Sequence, residues 1–280
     1  MCAESEYRVE DHDVTVEGGT IPVRVTIPPY QQEDETFPLL VYYHGGGFFA
    51  GDIGMRDYQM RYLSCKLRIV TVNVGYRRLS TEPAPIPQND SYLALKWAYT
   101  NSSSLSADTT KGFVAMGQSA GGQLAAVASQ RAAAEGMPLT GQVLQIPATC
   151  HPDAVPDKWK DRLLSRDQNK DAPALPRIAC EHSARFLGGT PTDLSISPLL
   201  APSQILSKLP RTHVQVCGLD PLRDEGILYE KLLKDAGVET RLDIYPGVPH
   251  SFEDFAPEIS LAKKLIADLE RGIKWVVLGA

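Results

Sequence analysis

Near the start of the chain, apolar residues alternate with polar ones: Val14 and Val16, then Val23, Val25 and Ile27, on either side of Gly18-Gly19. A period of two broken by a glycine pair predicts two antiparallel strands joined by a tight turn. Beyond the polar linker Gln31 to Thr36 the pattern changes to short unbroken apolar runs, Leu39 to Tyr43, Ile69 to Val72, Phe113 to Met116 and Val143 to Ile146. Such runs suit strands covered on both faces. Between them lie segments of helical period, including Asp90 to Tyr99, with Leu93 and Trp97 four apart, and the alanine-rich stretch Ala120 to Ala134. Strand then helix, repeated, predicts a parallel sheet built from right-handed crossovers.

The rhythm stops between about Thr149 and Gly189, where Pro152, Pro156, Pro173 and Pro176 mix with charges, and the break predicts an inserted lid or cap. It resumes with Val214 to Val216, the helix-like Glu225 to Ala236, and Arg241 to Tyr245. A last amphipathic segment, Pro257 to Trp275 with Leu261, Leu265 and Leu269 four apart, predicts a helix packed on the sheet. The expected fold class is α/β: one domain over residues 1–280, with a mostly parallel sheet, an antiparallel N-terminal hairpin, helices on both faces and a cap insertion at about 149–189. No internal repeat is apparent.

A chain of 280 residues with 43% hydrophobic and 22% charged positions can bury a core, which excludes disordered and fibrous classes. Its 28 basic and 34 acidic side chains give a net charge of -6, with no Lys/Arg cluster, so no nucleic-acid partner is expected. Glu4, Glu6, Glu10 and Asp11 stand where a signal peptide needs a basic start and an apolar run, and no apolar stretch is long enough for a bilayer. A cytoplasmic chain without stable membrane anchoring is expected. The five cysteines, Cys2, Cys65, Cys150, Cys180 and Cys217, are scattered and unpaired by spacing, as suits reduced thiols acting as small buried hydrophobes. The six histidines show no ligand spacing, so no metal is assigned. Nothing in the chain specifies an oligomeric state.

The candidate chemistry begins at Gly117-Gln118-Ser119-Ala120-Gly121, a G-x-S-x-G that chance would produce roughly one time in ten. Its position between a predicted strand and a predicted helix is that of a nucleophile elbow, although a serine N-cap on an ordinary helix has the same spelling. His44-Gly45-Gly46-Gly47-Phe48 follows another strand, and there glycines let backbone N–H groups approach a developing oxyanion. Gly45 and Gly46, joined by Ala120, are the expected donors, with His44 bracing the loop. A phosphate-cradling loop is the competing reading, but no Gly-Lys-Ser/Thr follows. A serine nucleophile needs an imidazole and a carboxylate to orient it. Asp220 follows the strand His213 to Cys217 and His250 follows the strand Arg241 to Tyr245, at the strand ends where open α/β sheets place their sites. Asp224, four residues after Asp220, is a rival acid; it and Glu225 also read as first-turn acids of the next helix.

These residues resemble the bacterial hormone-sensitive-lipase-like carboxylesterase branch of the α/β-hydrolases, whose signatures are HGGGF, GxSAGG, DPLRDEG and a histidine before a small residue and Phe. The matches are His44 to Phe48, Gly117 to Gly122, Asp220 to Gly226 and His250 to Phe252, and Gly75-Tyr76-Arg77 with Pro83 to Pro87 is similar to a further family segment. The resemblance implies cleavage of small carboxylic esters by Ser119, Asp220 and His250, with Gly45, Gly46 and Ala120 as oxyanion donors and no cofactor. Two departures stand out: Gln118 replaces a residue that is usually acidic, and the part before HGGGF is short and reads as a hairpin. The alternatives are a biosynthetic hydrolase dedicated to one metabolite, by deacylation, lactone opening or cyclisation, and a silent ligand-binding protein, which normally requires a broken triad.

Overall fold

The computed structural model describes residues 6–79 and 84–278. Cys2, Glu4 and Pro83, singled out above, lie outside the described residues. Two long strands, β1 (Arg8–Val16) and β2 (Gly19–Ile27), form the expected hairpin, paired antiparallel from Arg8↔Ile27 to Val16↔Gly19. β1 starts six residues before the first alternating valine, because its first half lies exposed or half-buried at the sheet edge, where polar side chains are tolerated. The remaining strands are β3 (Leu39–Tyr43), β4 (Val70–Val74), β5 (Phe113–Gln118), β6 (Gly141–Gln145), β7 (Arg211–Leu219) and β8 (Thr240–Pro249). They form one eight-stranded sheet in the order β1-β2-β4-β3-β5-β6-β7-β8, parallel from β4 to β8.

The two faces of the sheet can be followed along β3. Leu39, Val41 and Tyr43 face one core with Leu95 of α2 (Ile86–Thr100), Leu124 of α3 (Ala120–Ala134) and Leu228 of α7 (Arg223–Asp235). Leu40 and Tyr42 face the other, with Leu63 of α1 (Asp57–Leu67) and Ile273 of α9 (Ser260–Leu278). Burial on both faces is why the central strands read as unbroken apolar runs. At the edge, β8 is exposed or half-buried at most positions. α9 sits so close to the sheet that a Cβ on Gly272 would lie 1.9 Å from the His213 ring on β7.

Between β6 and β7 the chain contains α4 (Ser165–Gln168) and α5 (Arg177–Leu187), then α6 (Ser203–Leu206); α8 (Phe252–Phe255) comes later. α5 is a regular helix inside the segment whose prolines and charges obscured any period. It presents Ile178 and Phe186 to solvent, 55% and 64% exposed, and buries Leu187. Trp159, from a 3-10 turn in the same segment, packs against the main core, as does Trp97.

Candidate active site

The backbone of Ser119 bends sharply between β5 and α3, at φ 56° and ψ −118°. A non-glycine residue held there costs roughly 1–3 kcal/mol. Its neighbours make the bend feasible: a Cβ on Gly117 would lie 2.0 Å from the Gly121 carbonyl oxygen, and one on Gly121 would lie 2.0 Å from the Tyr43 carbonyl oxygen. The turn is fastened by the Ser119 N–H, which donates to the Gln145 carbonyl at 2.8 Å, and by the Ser119 carbonyl, which accepts from the N–H groups of Gln123 and Ala148 at 3.2 Å. Ala120 is the first residue of α3, so its N–H has no partner within the helix.

Two other strand ends converge on this turn. His250 follows β8 directly, with Nε2 2.9 Å from Ser119 Oγ and Nδ1 2.7 Å from Asp220 Oδ2. Asp220 follows β7, is fully buried, and its second oxygen accepts the Leu222 N–H at 2.8 Å. Asn169 holds the Asp220 backbone, its amide donating to that carbonyl at 3.0 Å. A carboxylate that keeps the proton on Nδ1 leaves Nε2 free to take a hydroxyl proton. The arrangement is therefore competent to generate a serine nucleophile.

The rival carboxylate points elsewhere. Asp224 accepts from the N–H groups of Leu164 (2.8 Å) and Ser165 (2.7 Å), and from Arg223 Nε (2.7 Å). Glu225 accepts from the N–H groups of Thr149 (2.6 Å) and Cys150 (3.2 Å), and from Arg166 Nη2 (2.5 Å). Burial pushes the Glu225 carboxyl up from its usual range, against the pull of Arg166 and the two N–H groups. Both acids stand in the first turn of α7, yet apart from Arg223 the partners just named belong to the segment from Thr149 to Arg166, which the acids tie to that helix.

In the glycine loop, Gly46 has φ 113°, and a Cβ there would lie 2.3 Å from the Ala50 carbonyl oxygen. The N–H groups of Gly45, Gly46 and Gly47 donate to no acceptor among the described residues. His44 Nδ1 lies 2.7 Å from the Gly45 carbonyl oxygen, the ring stacks on Tyr76 at 4.3 Å, and the Tyr76 hydroxyl donates to the His44 carbonyl at 2.8 Å. Burial draws His44 below its ordinary value, so it is a neutral brace for the loop. Gln118, at the position of the first departure noted above, donates to Ser251 Oγ at 3.1 Å and to Glu253 Oε1 at 3.4 Å. Glu253 in turn accepts from Arg56 at 2.7 Å. The acidic group beside the elbow is thus supplied from α8, the short helix after His250.

Two cavities meet at Ser119. One, of about 70 Å³, is lined by Ser119, Ala120, Phe48, Leu187 and Arg166 among others and does not include His250. The other, an open cleft of about 670 Å³, is lined by His250, Gly45, Gly46 and Phe255 among others. Gly47 borders both, although only its neighbours stood out in the HGGGF run. The pairing of Arg166 with Glu225 had no signal in the sequence, the two being 59 residues apart; Glu225 read only as a first-turn acid of its helix. Cys150 and Cys180 line the small cavity, and burial pushes each thiol up to about 12. Cys65 and Cys180 are half-buried, so the expectation of fully buried cysteines holds for Cys150 and Cys217 alone among the described residues. No cluster of three or more potential ligands could hold a metal ion, and no helix is long and apolar enough to cross a membrane, among the described residues.

A family model for the alpha/beta hydrolase fold matches residues 40–254, from β3 into α8. The chain belongs to that family. It is 33% identical over 272 residues to versiconal hemiacetal acetate esterase of Dothistroma septosporum, covering 96% of this chain and 82% of that protein. It is 36% identical over 260 residues to carboxylesterase NlhH of Mycobacterium tuberculosis, covering 90% of this chain and 77% of the relative. Among solved structures, that of vibralactone cyclase superposes with a TM-score of 0.95 at 40% identity, covering 99% of this chain and 82% of the other. This alpha/beta hydrolase is of the esterase type, within the hormone-sensitive-lipase-like branch its motifs resemble.

Proposed function

We propose that the protein cleaves small carboxylic esters with short acyl groups through an acyl-enzyme on Ser119. His250 takes the Ser119 proton as Oγ attacks the ester carbonyl, and the resulting oxyanion is received by the backbone N–H groups of Gly45, Gly46 and Ala120, beside Gly47. Such donors contribute about 3 kcal/mol each to the transition state. On collapse, His250 Nε2 gives its proton to the leaving alcohol. Water then enters by the same route in reverse and releases the acid. Asp220 holds the imidazole and stabilises its cationic form throughout. The observation that carries this reading is the hydrogen-bonded chain from Ser119 Oγ to His250 to Asp220, at 2.9 and 2.7 Å.

The leaving oxygen has to meet His250, so the open cleft that contains His250 takes the alcohol part. The small cavity takes the acyl part, and about 70 Å³ has room for a few water-sized groups. Residues 149–189 act as the cap over this site within a single domain. The test is incubation with a fluorophosphonate probe, localisation of the adduct by mass spectrometry, and parallel assay of p-nitrophenyl esters from acetate to decanoate. Labelling at Ser119 with rates that peak at short chains is expected. Absence of the adduct refutes the catalytic assignment, and a peak at decanoate refutes the assignment of the small cavity.

A second reading is supported by the likeness to vibralactone cyclase and to the acetate esterase of D. septosporum: a dedicated enzyme that deacylates, opens or cyclises one metabolite. Ready labelling of Ser119 with little turnover of simple esters would favour it.

A further inference from the structure

Two of the residues that line both cavities, Ser119 and Ser183, carry hydroxyls; the others are Gly47 and Leu175. These four form the neck through which an ester attacked by Ser119 must thread, with its acyl part on one side and its alcohol part on the other. Ser183 belongs to α5, and a serine inside a helix commonly turns its hydroxyl onto the carbonyl four residues back. Ser91 does so with Pro87 and Ser129 with Ala125, each at 2.8 Å. Ser183 does not. Its Oγ has no hydrogen-bond partner among the described residues and lies 3.0 Å from where a Cβ on Gly47 would stand, so it faces the glycine loop. Phe186, three residues on and on the same face of α5, meets Phe49 edge-on at 5.4 Å, which holds the helix over that loop. Ser183 is half-buried, and its oxygen keeps open surface. Gln123, His151, Arg166 and Glu225, which also line the small cavity, already have protein partners, and the thiols of Cys150 and Cys180 are weak donors.

We infer that Ser183 is a specificity residue whose hydroxyl donates to an oxygen on the α-carbon of the acyl group, so that the site favours esters of short 2-alkoxy or 2-hydroxy acids. The inference deepens the esterase reading and rests on it and on the assignment of the two cavities given above. When Ser119 attacks, the neck holds the carbonyl carbon, the leaving oxygen and the acyl α-carbon. The carbonyl oxygen is directed at the N–H groups of the glycine loop and the leaving oxygen at His250 Nε2. The α-carbon is left as the position whose substituent can turn towards α5. A serine hydroxyl meets an ether or hydroxyl oxygen there without placing a charge beside an apolar cavity.

The experiment measures kcat/KM for the p-nitrophenyl esters of methoxyacetate and butanoate, which differ by an oxygen in place of one methylene, in the wild-type protein and in Ser183→Ala. The intrinsic reactivity of the esters cancels when the methoxyacetate-to-butanoate ratio is compared between the two proteins. That ratio is expected to fall by about two- to tenfold in the variant, the range of one hydrogen bond. Alanine favours a helix and removes no hydrogen bond among the described residues, so the variant is expected to fold, and a purely structural change in α5 would scale both esters alike. An unchanged ratio overturns the inference. So does a wild-type protein that, after division by each ester's own rate of alkaline hydrolysis, prefers methoxyacetate no more than butanoate; that result needs no variant and leaves Ser119 as the nucleophile. If the wild-type protein hydrolyses neither ester, the esterase reading itself falls and takes this subsite with it.

Discussion

Replacing Asp220 by Asn probes the site more sharply than removing the nucleophile, because the two side chains have the same shape. Asp220 uses both oxygens: Oδ1 accepts the Leu222 N–H at 2.8 Å and Oδ2 faces His250 Nδ1 at 2.7 Å. Asparagine has one acceptor for these two donors. If its oxygen serves Leu222, its amide N–H faces His250 and forces the imidazole proton onto Nε2, where it blocks uptake of the Ser119 proton. The opposite orientation leaves the buried Leu222 N–H unmet, at a cost of roughly 1–3 kcal/mol. In either orientation the cationic imidazole loses a charged partner, worth about 1.5–3 kcal/mol. The two losses together, about 2.5–6 kcal/mol, correspond to a fall in kcat of about 10² to 10⁴ at 1.36 kcal/mol per tenfold. The assay is initial-rate hydrolysis of p-nitrophenyl butanoate, with circular dichroism to confirm folding. A folded variant within tenfold of the wild-type kcat would refute the reasoning, and Asp224→Asn serves as the control that should keep kcat within a few-fold.

Ser119→Ala should abolish turnover while shifting Tm by no more than a few degrees, since among the described residues the hydroxyl's one hydrogen-bond partner is His250; residual hydrolysis above background would contradict the nucleophile assignment. Gly121→Ala should fail to assemble the elbow, because its Cβ meets two backbone oxygens, of Tyr43 at 2.0 Å and of His44 at 2.4 Å; expression as a soluble, fluorophosphonate-reactive protein would show that the backbone can yield there. Gly272→Ala should lose about 1–3 kcal/mol in urea unfolding from the crowding of α9 against His213, and an unchanged midpoint would argue against that contact. Stability should decline as pH falls through about 6.5 and below, because His44 has an ordinary value of 6.5 and burial lowers it in the folded state. The unfolded chain then binds the proton that the folded one resists, so the contribution is present above 6.5 and lost on acidification. Urea midpoints from pH 8 to 5 should show this slope in the wild-type protein and less of it in His44→Gln.

What was legible in the sequence follows from where each residue lies. The central strands announced themselves because both their faces are covered, so Leu39 to Tyr43 has no polar position to blur the run. Ser119, Asp220 and His250 were locatable because each follows a strand end within a local motif. The first half of β1 was not, since an edge strand places no demand on the polarity of Arg8 to Asp13. Nor was α5, whose Ile178 and Phe186 face solvent instead of marking a buried stripe. Glu225 was read only as a first-turn acid of its helix. Its partners, the N–H groups of Thr149 and Cys150 and the guanidinium of Arg166, are distant in the chain, and two of the three are backbone groups that carry no side-chain signature.

That mode of attachment has a consequence for how such a protein can change. Asp224 and Glu225 hold the segment between β6 and β7 through the N–H groups of residues 149, 150, 164 and 165, which almost any amino acid provides. The clamps sit four and five residues after Asp220, on the sheet side of the joint. At those four positions the segment can change its side chains and keep these hydrogen bonds, while Arg166 and Asn169 are held by their own side chains. Proline is the one residue barred from the four clamped positions, because it lacks the N–H. If residues 149–189 are the cap proposed above, new substrate preferences are open to this scaffold through changes at those positions that leave Ser119, Asp220 and His250 untouched.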